Sequence, residues 1–159
     1  MDITAKKFSD LTTMELFELY RLRNLVFIVE QNCPYQDIDE HDLSAYHICL
    51  RIDDEMVGYA RIYHQDEKLR IGRVVVHPKV RHQRVGWQLM RAAIDYSSYQ
   101  YKGEDVYISA QTHARKFYEG FGFEAISNAY LEDGIEHIDA FSFRKSVRHV
   151  FILPSNGKK

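Results

Sequence analysis

Between Val74 and Trp87 the chain reads Val-Val-Val-His-Pro-Lys-Val-Arg-His-Gln-Arg-Val-Gly-Trp, an apolar run, a proline and a group of cations that lead into a helical pattern. That order places the start of a helix directly after a strand. The first N–H groups of a helix lack intrahelical partners, and the helix dipole adds partial positive charge there. With Lys79, Arg81 and Arg84 beside it, this turn is suited to a diphosphate. Gly86 keeps a Cβ out of the anion's approach.

Other residues with chemical potential lead less far. Asp37-Ile38-Asp39-Glu40-His41-Asp42 invites a calcium reading, but the positions that need Gly and Glu hold Asp42 and Ile48. The eight histidines include no HxxxH pair on a predicted helix; His47, His77 and His137 fall at strand ends, and no metal is expected. Cys33 has no legible His–Asp arrangement to activate it as a nucleophile. Cys33 and Cys49 form no CxxC and read as reduced thiols, which points to the cytoplasm.

A net charge of −2 argues against a dedicated nucleic-acid or membrane-surface protein. The N-terminal residues lack the apolar core of a signal peptide, and runs such as Leu25 to Val29 are too short to cross a bilayer. The elements that must carry the anion turn follow from periodicity. Residues 3–8 predict a strand. Thr12 and Glu15 have capping-box spacing ahead of apolar positions at helical intervals, so one long or two consecutive helices are expected over 13–31, ended by Pro34. The acidic stretch after it reads as a loop. Period-two patterns then predict strands from Tyr46, over Val57 to His64 and over Leu69 to His77. A helix follows over Val85 to Tyr99, with Val85, Leu89, Ala92, Ala93 and Tyr96 on one stripe. Val106 to Ala110 predicts a strand and Ala114 to Phe121 a short helix closed by Gly122. A final hairpin of Glu124 to Leu131 and His137 to Arg144 turns at Asp133-Gly134. A single domain is expected over 1–153, with a frayed tail over 154–159.

The anion turn resembles the signature of the GNAT N-acetyltransferase superfamily, Arg/Gln-x-x-Gly-x-Gly/Ala after a strand ending in Val-x-Pro. Arg81-His82-Gln83-Arg84-Val85-Gly86 fits at its first and last positions, with Arg84 where the first Gly is expected. A non-Gly residue there still offers its N–H if φ is negative, and its guanidinium could reach a phosphate; the sequence leaves open whether this strengthens or weakens binding. Gln111-Thr112-His113-Ala114-Arg115-Lys116-Phe117-Tyr118-Glu119-Gly120-Phe121-Gly122-Phe123 is similar to the later motif of that family, a helix carrying Phe-Tyr before Gly-Phe. The stretches Val26 to Asp39, Tyr59 to Ile62, Ile71 to Val74 and Glu132 to Ile138 resemble the ElaA-type branch.

The resemblance implies an α/β (α+β) fold: a mixed, mostly antiparallel sheet of about six to seven strands, flanked by about four helices, with one splayed central pair. It implies acetyl-CoA as co-substrate, held by Val74, Val75, Val76, Arg81, His82, Gln83, Arg84, Val85, Gly86, Gln111 and Phe117, and a primary amine of a small molecule or peptide as acceptor. A backbone N–H of Val74 to Val76 would polarise the thioester oxygen. Tyr118 stands at the general-acid position, and a phenol suits the task of protonating the departing thiolate. Glu30, or an ordered water, is expected to take the amine proton, and the acidic loop to attract a cationic acceptor. A homodimer through the C-terminal strands is compatible with the resemblance; nucleic-acid and membrane partners are not expected. The alternative is a non-catalytic acyl-CoA-binding or regulatory module, which would show Tyr118 apart from any open acceptor cleft.

Overall fold

A computed structural model describes residues 1–142; the expected tail over 154–159 and the hairpin's end at Arg144 lie outside the described residues. The chain opens with β1 (Asp2–Lys7) and then α1 (Thr13–Arg23). Both halves of the capping box form: Thr12 Oγ1 accepts from the Glu15 N–H at 3.1 Å, and the Glu15 carboxylate accepts from the Thr12 N–H at 2.8 Å. Such a cap contributes about 1 kcal/mol to the helix start. The helix continues without a break as a wide π-helical segment, Asn24–Glu30, so the second of the two expected helices is an extension of the first.

A short α2 (His41–Ser44) interrupts what the sequence reads as irregular loop. The meander follows as β2 (Tyr46–Ile52), β3 (Glu55–Gln65) and β4 (Lys68–Val76). Next come α3 (Val85–Gln100), β5 (Val106–Gln111) and α4 (Arg115–Glu119). The first strand of the expected hairpin is broken into β6 (Glu124–Ala125) and β7 (Tyr130–Glu132), both paired with β8 (Ile135–Ser142). The break has a register cause: residues 126–129 on one side face only Ile138 and Asp139 on β8, so the surplus loops out.

Among the described residues the sheet has eight strands in the order β1-β2-β3-β4-β5-β8-β6, with β7 also on β8. Every pairing is antiparallel except β4 with β5. One face packs on α3, where Ile48, Leu50, Leu69, Ile71, Leu89, Met90, Ile108 and Ala110 form the main core. On the other face α1 seals β2, β3 and β4 through Leu19, Leu22, Val26, Cys49, Tyr59 and Val75. The predicted alternation of β2 is therefore masked. Burial on both faces suits His47 and Cys49 as well as Ile48 and Leu50.

The acidic stretch is not the solvated loop its composition suggests. Arg23, inside the buried stripe of α1, binds Asp37 Oδ2 and Asp42 Oδ1 at 2.8 Å each and the Asp37 carbonyl at 2.7 Å. Arg61 on β3 binds Asp39 Oδ1 at 2.6 Å and Asp42 Oδ1 at 2.9 Å. Arg73 on β4 lies 2.7 Å from Asp37 Oδ1. Arg23, Arg61 and Asp42 are at most 1% exposed. The three aspartates are thus spent on three arginines and do not form an acidic lure for a cationic acceptor.

Arg23 and Arg61 hold the Asp42 carboxyl below its ordinary value of 3.8 against the opposing effect of burial, and Arg61 does the same for Asp39. A depressed native carboxyl stabilises above the unfolded value, and that contribution is lost as pH falls through the native one. Stability should therefore be insensitive to these two groups above about pH 5 and decline steeply below about pH 4. Asp42→Asn leaves two buried guanidinium groups short of a counter-charge and should cost about 3 kcal/mol or more. Thermal denaturation at neutral pH should show Tm lowered by roughly 6–12 °C, and the variant should lose part of the acid sensitivity.

Candidate active site

Strands β4 and β5 pair only at Leu69–Val106 and Arg70–Tyr107. Beyond that point they part. The cause lies on β4: Tyr59 pairs with Val75 and Arg61 with Gly72, so Arg73 and Val74 together face the single residue Ala60. Arg73 adopts φ of 52°, the left-handed conformation of a bulge. The bulge also switches parity. Leu69 and Ile71 face the α3 side, whereas past the bulge Val74 and Val76 pack there and Val75 joins the α1 side. Gly72 to Val76 and Ile108 to Gln111 consequently present edges that do not ladder with each other.

A cleft of about 710 Å³ fills this divergence, lined by Val74, Val75, Val76, Ile108 to Gln111, Arg81 and Tyr118. Its size falls within the range of about 300–1,000 Å³ usual for small-ligand sites. Two strand edges at its walls offer backbone donors and acceptors to an extended amide chain, as a further strand would use them. That fits the pantetheine arm of coenzyme A.

At the end of β4 the chain turns through Pro78–Val80 into α3. His82 and Arg84, two apart, have φ of 64° and 62°. Left-handed residues alternating with others point successive N–H groups into one concavity, a nest for an anion. Arg84 therefore supplies its N–H with positive φ, so the negative-φ condition set for a side chain at this position is not what the turn adopts. Its guanidinium lies over the Trp87 ring, 5.6 Å from the centroid, and Arg91 lies 5.4 Å from the same centroid. A Cβ on Gly86 would meet Val76 Cγ2 at 3.5 Å and Phe117 Cζ at 3.9 Å, ordinary contacts, so protein packing leaves room there.

Arg81 lines the cleft and donates to the Val76 carbonyl at 3.3 Å. It also makes a two-pronged bond to Glu30 at 2.7 and 3.2 Å. Glu30 is thereby tied to the anion turn, and it is absent from the cleft lining. Lys79 is likewise engaged, with Glu55. Gln111 does line the cleft and bonds Gln31 at 3.1 Å, joining β5 to the end of the π-helical segment. Phe117 packs edge-on between Tyr118 and Phe121, with centroids at 5.0 and 5.2 Å.

Tyr118 packs its ring on Phe117 and Phe123, and burial pushes its hydroxyl up to about 12. The phenol is neutral across the physiological range and retains a proton to give. A thiol beside it would move the same way, as the buried Cys49 thiol does, also to about 12. Burial therefore acts on thiol and phenol in the same direction, disfavouring the charged form of each.

Past Tyr118 the cleft reaches the part of the sheet that α1 leaves open. Tyr107, Ser109 and Gln111 alternate with the core residues of β5, and Ser109 and Gln111 pair with Asp139 and His137 of β8. Tyr130 bridges them: its hydroxyl lies 2.6 Å from Ser109 Oγ and donates to Asp139 Oδ1 at 2.8 Å. This polar face was not legible as a unit, because it depends on the β5–β8 register. Among the described residues no group of three or more metal-ligating side chains occurs, and no helix is long and apolar enough to cross a membrane.

A parallel pair prised apart beside an anion nest suits a long thioester, and this is the architecture of acyl-CoA-dependent acyltransferases. The chain belongs to the GNAT family: the acetyltransferase (GNAT) domain matches residues 12–140. It is 44% identical over 135 residues to the protein ElaA of Escherichia coli, covering 82% of this chain and 88% of that one. The crystal structure of Escherichia coli ElaA superposes with a TM-score of 0.86 at 40% identity, over 90% of this chain and 100% of the other. An acyl-CoA N-acyltransferase from Pseudomonas aeruginosa gives 0.85 at 37% identity, over 90% and 100%.

The nest makes a separable prediction. Arg84→Gly relieves a left-handed side chain, worth about 1 kcal/mol, but loses a cation beside the anion site and loosens the unfolded chain. The free variant should unfold within a few degrees of the parent. Acetyl-CoA affinity measured by calorimetry should fall about tenfold, the scale of one charge-assisted contact.

Proposed function

We propose that the protein transfers the acetyl group of acetyl-CoA directly to a primary amine of a small molecule or peptide, within a ternary complex in the cytosol. The observation that carries this reading is Tyr118, a half-buried neutral phenol lining a cleft whose walls are the open edges of β4 and β5. In it, the nest at His82 to Gly86 and Arg81 hold the diphosphate, and the pantetheine lies between the strands. A backbone N–H within Val74 to Val76 donates to the thioester oxygen, where negative charge grows during attack. Gln111 braces the β5 wall through Gln31, Phe117 orients Tyr118, and Tyr118 protonates the leaving sulfur.

Likeness to the Pseudomonas aeruginosa acyltransferase supports acyl transfer to nitrogen. The two cysteines are free thiols, which supports a reducing compartment. A non-catalytic module would have no use for an acceptor side. Here the cleft that Tyr118 lines is also lined by Ser109, Tyr130 and His137, which favours turnover. Glu30, expected to be the proton acceptor, serves in this reading to hold Arg81 at the turn, and Glu30→Gln should alter KM for acetyl-CoA while leaving the pH profile of kcat/KM in place.

Two measurements test the reading. Acetyl-CoA at about 100 times Kd should stabilise the protein by ~2.7 kcal/mol, seen as a rise of several degrees in Tm; no shift at millimolar acetyl-CoA would refute it. Thiol release from acetyl-CoA should be stimulated by at least one of spermidine, glucosamine, lysine methyl ester or a tripeptide with a free amino terminus. Tyr118→Phe should lower that rate about a hundredfold or more, the usual weight of a general acid. Full activity in Tyr118→Phe would remove it from the mechanism.

A further inference from the structure

The acceptor face holds one group that the transfer chemistry above does not use. His137 lies at the start of β8, opposite Gln111 on β5 and Tyr130 on β7. Its ring lines the cleft and stacks on Tyr130, with centroids 6.2 Å apart at 26°. Nδ1 is 2.7 Å from the Ile135 carbonyl oxygen, which can only accept, so Nδ1 carries a proton. In the neutral ring Nε2 is then a lone pair. Its nearest carboxylate is Glu132, at 3.7 Å, too long for a hydrogen bond. An imidazole whose tautomer is fixed from behind, with its basic nitrogen in a reaction cleft, has the arrangement of a proton acceptor.

We propose that His137 is the general base of the transfer and takes the proton of the attacking amine on Nε2. The inference rests on the acetyl-transfer reading. The amine lone pair forms the N–C bond while the carbonyl π pair moves to oxygen, and Nε2 takes an amine proton. The oxygen pair then re-forms the carbonyl as the C–S pair leaves with sulfur, which takes the Tyr118 proton, and the imidazolium proton returns through solvent to the Tyr118 oxygen. No proton is gained or lost overall.

The surroundings set the pH behaviour. Glu132 on β7 and Asp133 in the turn face the ring side of the cleft, Asp139 lies two residues on along β8 and is bonded to Tyr130, and His113 follows β5. Of these, Glu132 sits closest to Nε2. Cys33 fixes the turn from the other wall, its Sγ 3.2 Å from the Asp133 carbonyl.

The test combines turnover with a direct reading of the ring. With the best amine of the four named above, kcat/KM of the parent should show an acid limb that falls tenfold per pH unit, as one group that must be unprotonated requires. His137→Asn keeps a donor in the place of Nδ1 and removes the lone pair. It should bind acetyl-CoA as the parent does, lower the plateau of kcat/KM about a hundredfold or more and abolish the acid limb. An acid limb and rate retained in His137→Asn would overturn the proposal while leaving acetyl transfer intact; a parent that binds acetyl-CoA but acetylates none of the amines would overturn both. Independently of turnover, nitrogen NMR of the acetyl-CoA complex should find Nδ1 protonated and Nε2 bare in the neutral ring, and the reverse tautomer would overturn the assignment.

Discussion

The fold turns on a buried exchange of charge. Arg23, Arg61 and Arg73 meet Asp37, Asp39 and Asp42 so that three positive and three negative groups cancel where α1, β3, β4 and the loop before β2 converge. Removing such groups from water is expensive, and only multiple, well-aligned bonds offset it. Here each arginine has a second partner of another kind: Arg23 lies over Tyr20 and Tyr59, Arg61 over Tyr63, and Arg73 over Tyr35. Beneath them His47 joins the Asp42 carbonyl at 2.8 Å to the Tyr59 hydroxyl at 2.6 Å. A purely apolar filling could be as stable. It would not fix where residues 35–42 run, and those residues carry Tyr35 and Gln36 to the wall of the cleft.

That anchored wall allows the sheet to be opened elsewhere. Parting β4 from β5 forfeits ladder bonds, and left-handed backbone at Arg73, His82 and Arg84 costs of order 1–3 kcal/mol each. All three residues lie along one path, from the bulge to the start of α3. Strain gathered there buys open edges and a nest of N–H groups, and α1 and α3 packed on opposite faces keep the sheet from relaxing shut. Arg84 stacking on Trp87 returns part of what its backbone loses, which explains how a side chain larger than glycine persists at this turn.

Local signals in the sequence are legible where they act locally. The Thr12–Glu15 box, the α3 stripe, Gly122 at φ of 89°, and Asp133-Gly134 at 51° and 77° are each set by neighbours within a few residues. The acidic loop misled because its counter-ions come from Arg23, Arg61 and Arg73, distant in sequence. Their isolated occurrence within apolar stripes was the available clue. Burial of β2 on both faces and the gap between β6 and β7 likewise reflect packing and register. The anion turn could be placed from its cations, but the sign of φ at Arg84 could not, since it is imposed by the strand-to-helix turn. His137 passed as an ordinary strand-end histidine because its meaning rests on Ile135 behind it and the cleft in front.

Strand periodicity divides the labour of the site. On β5, Val106, Ile108 and Ala110 serve the core against α3, while Tyr107, Ser109 and Gln111 face the open side; on β8, Ile138 and Ala140 are buried while His137 and Asp139 look outward. A change on the outward set leaves the core set in register, because neighbouring residues point to opposite faces. The cofactor half has no such freedom. Its shape rests on backbone conformation at Arg73, His82 and Arg84 and on the spacing of two strand edges, which most side-chain exchange on the outward face does not reach. On the proposed reading, outward positions of β5, β7 and β8 other than Gln111 and His137 can therefore set acceptor preference without disturbing the donor side.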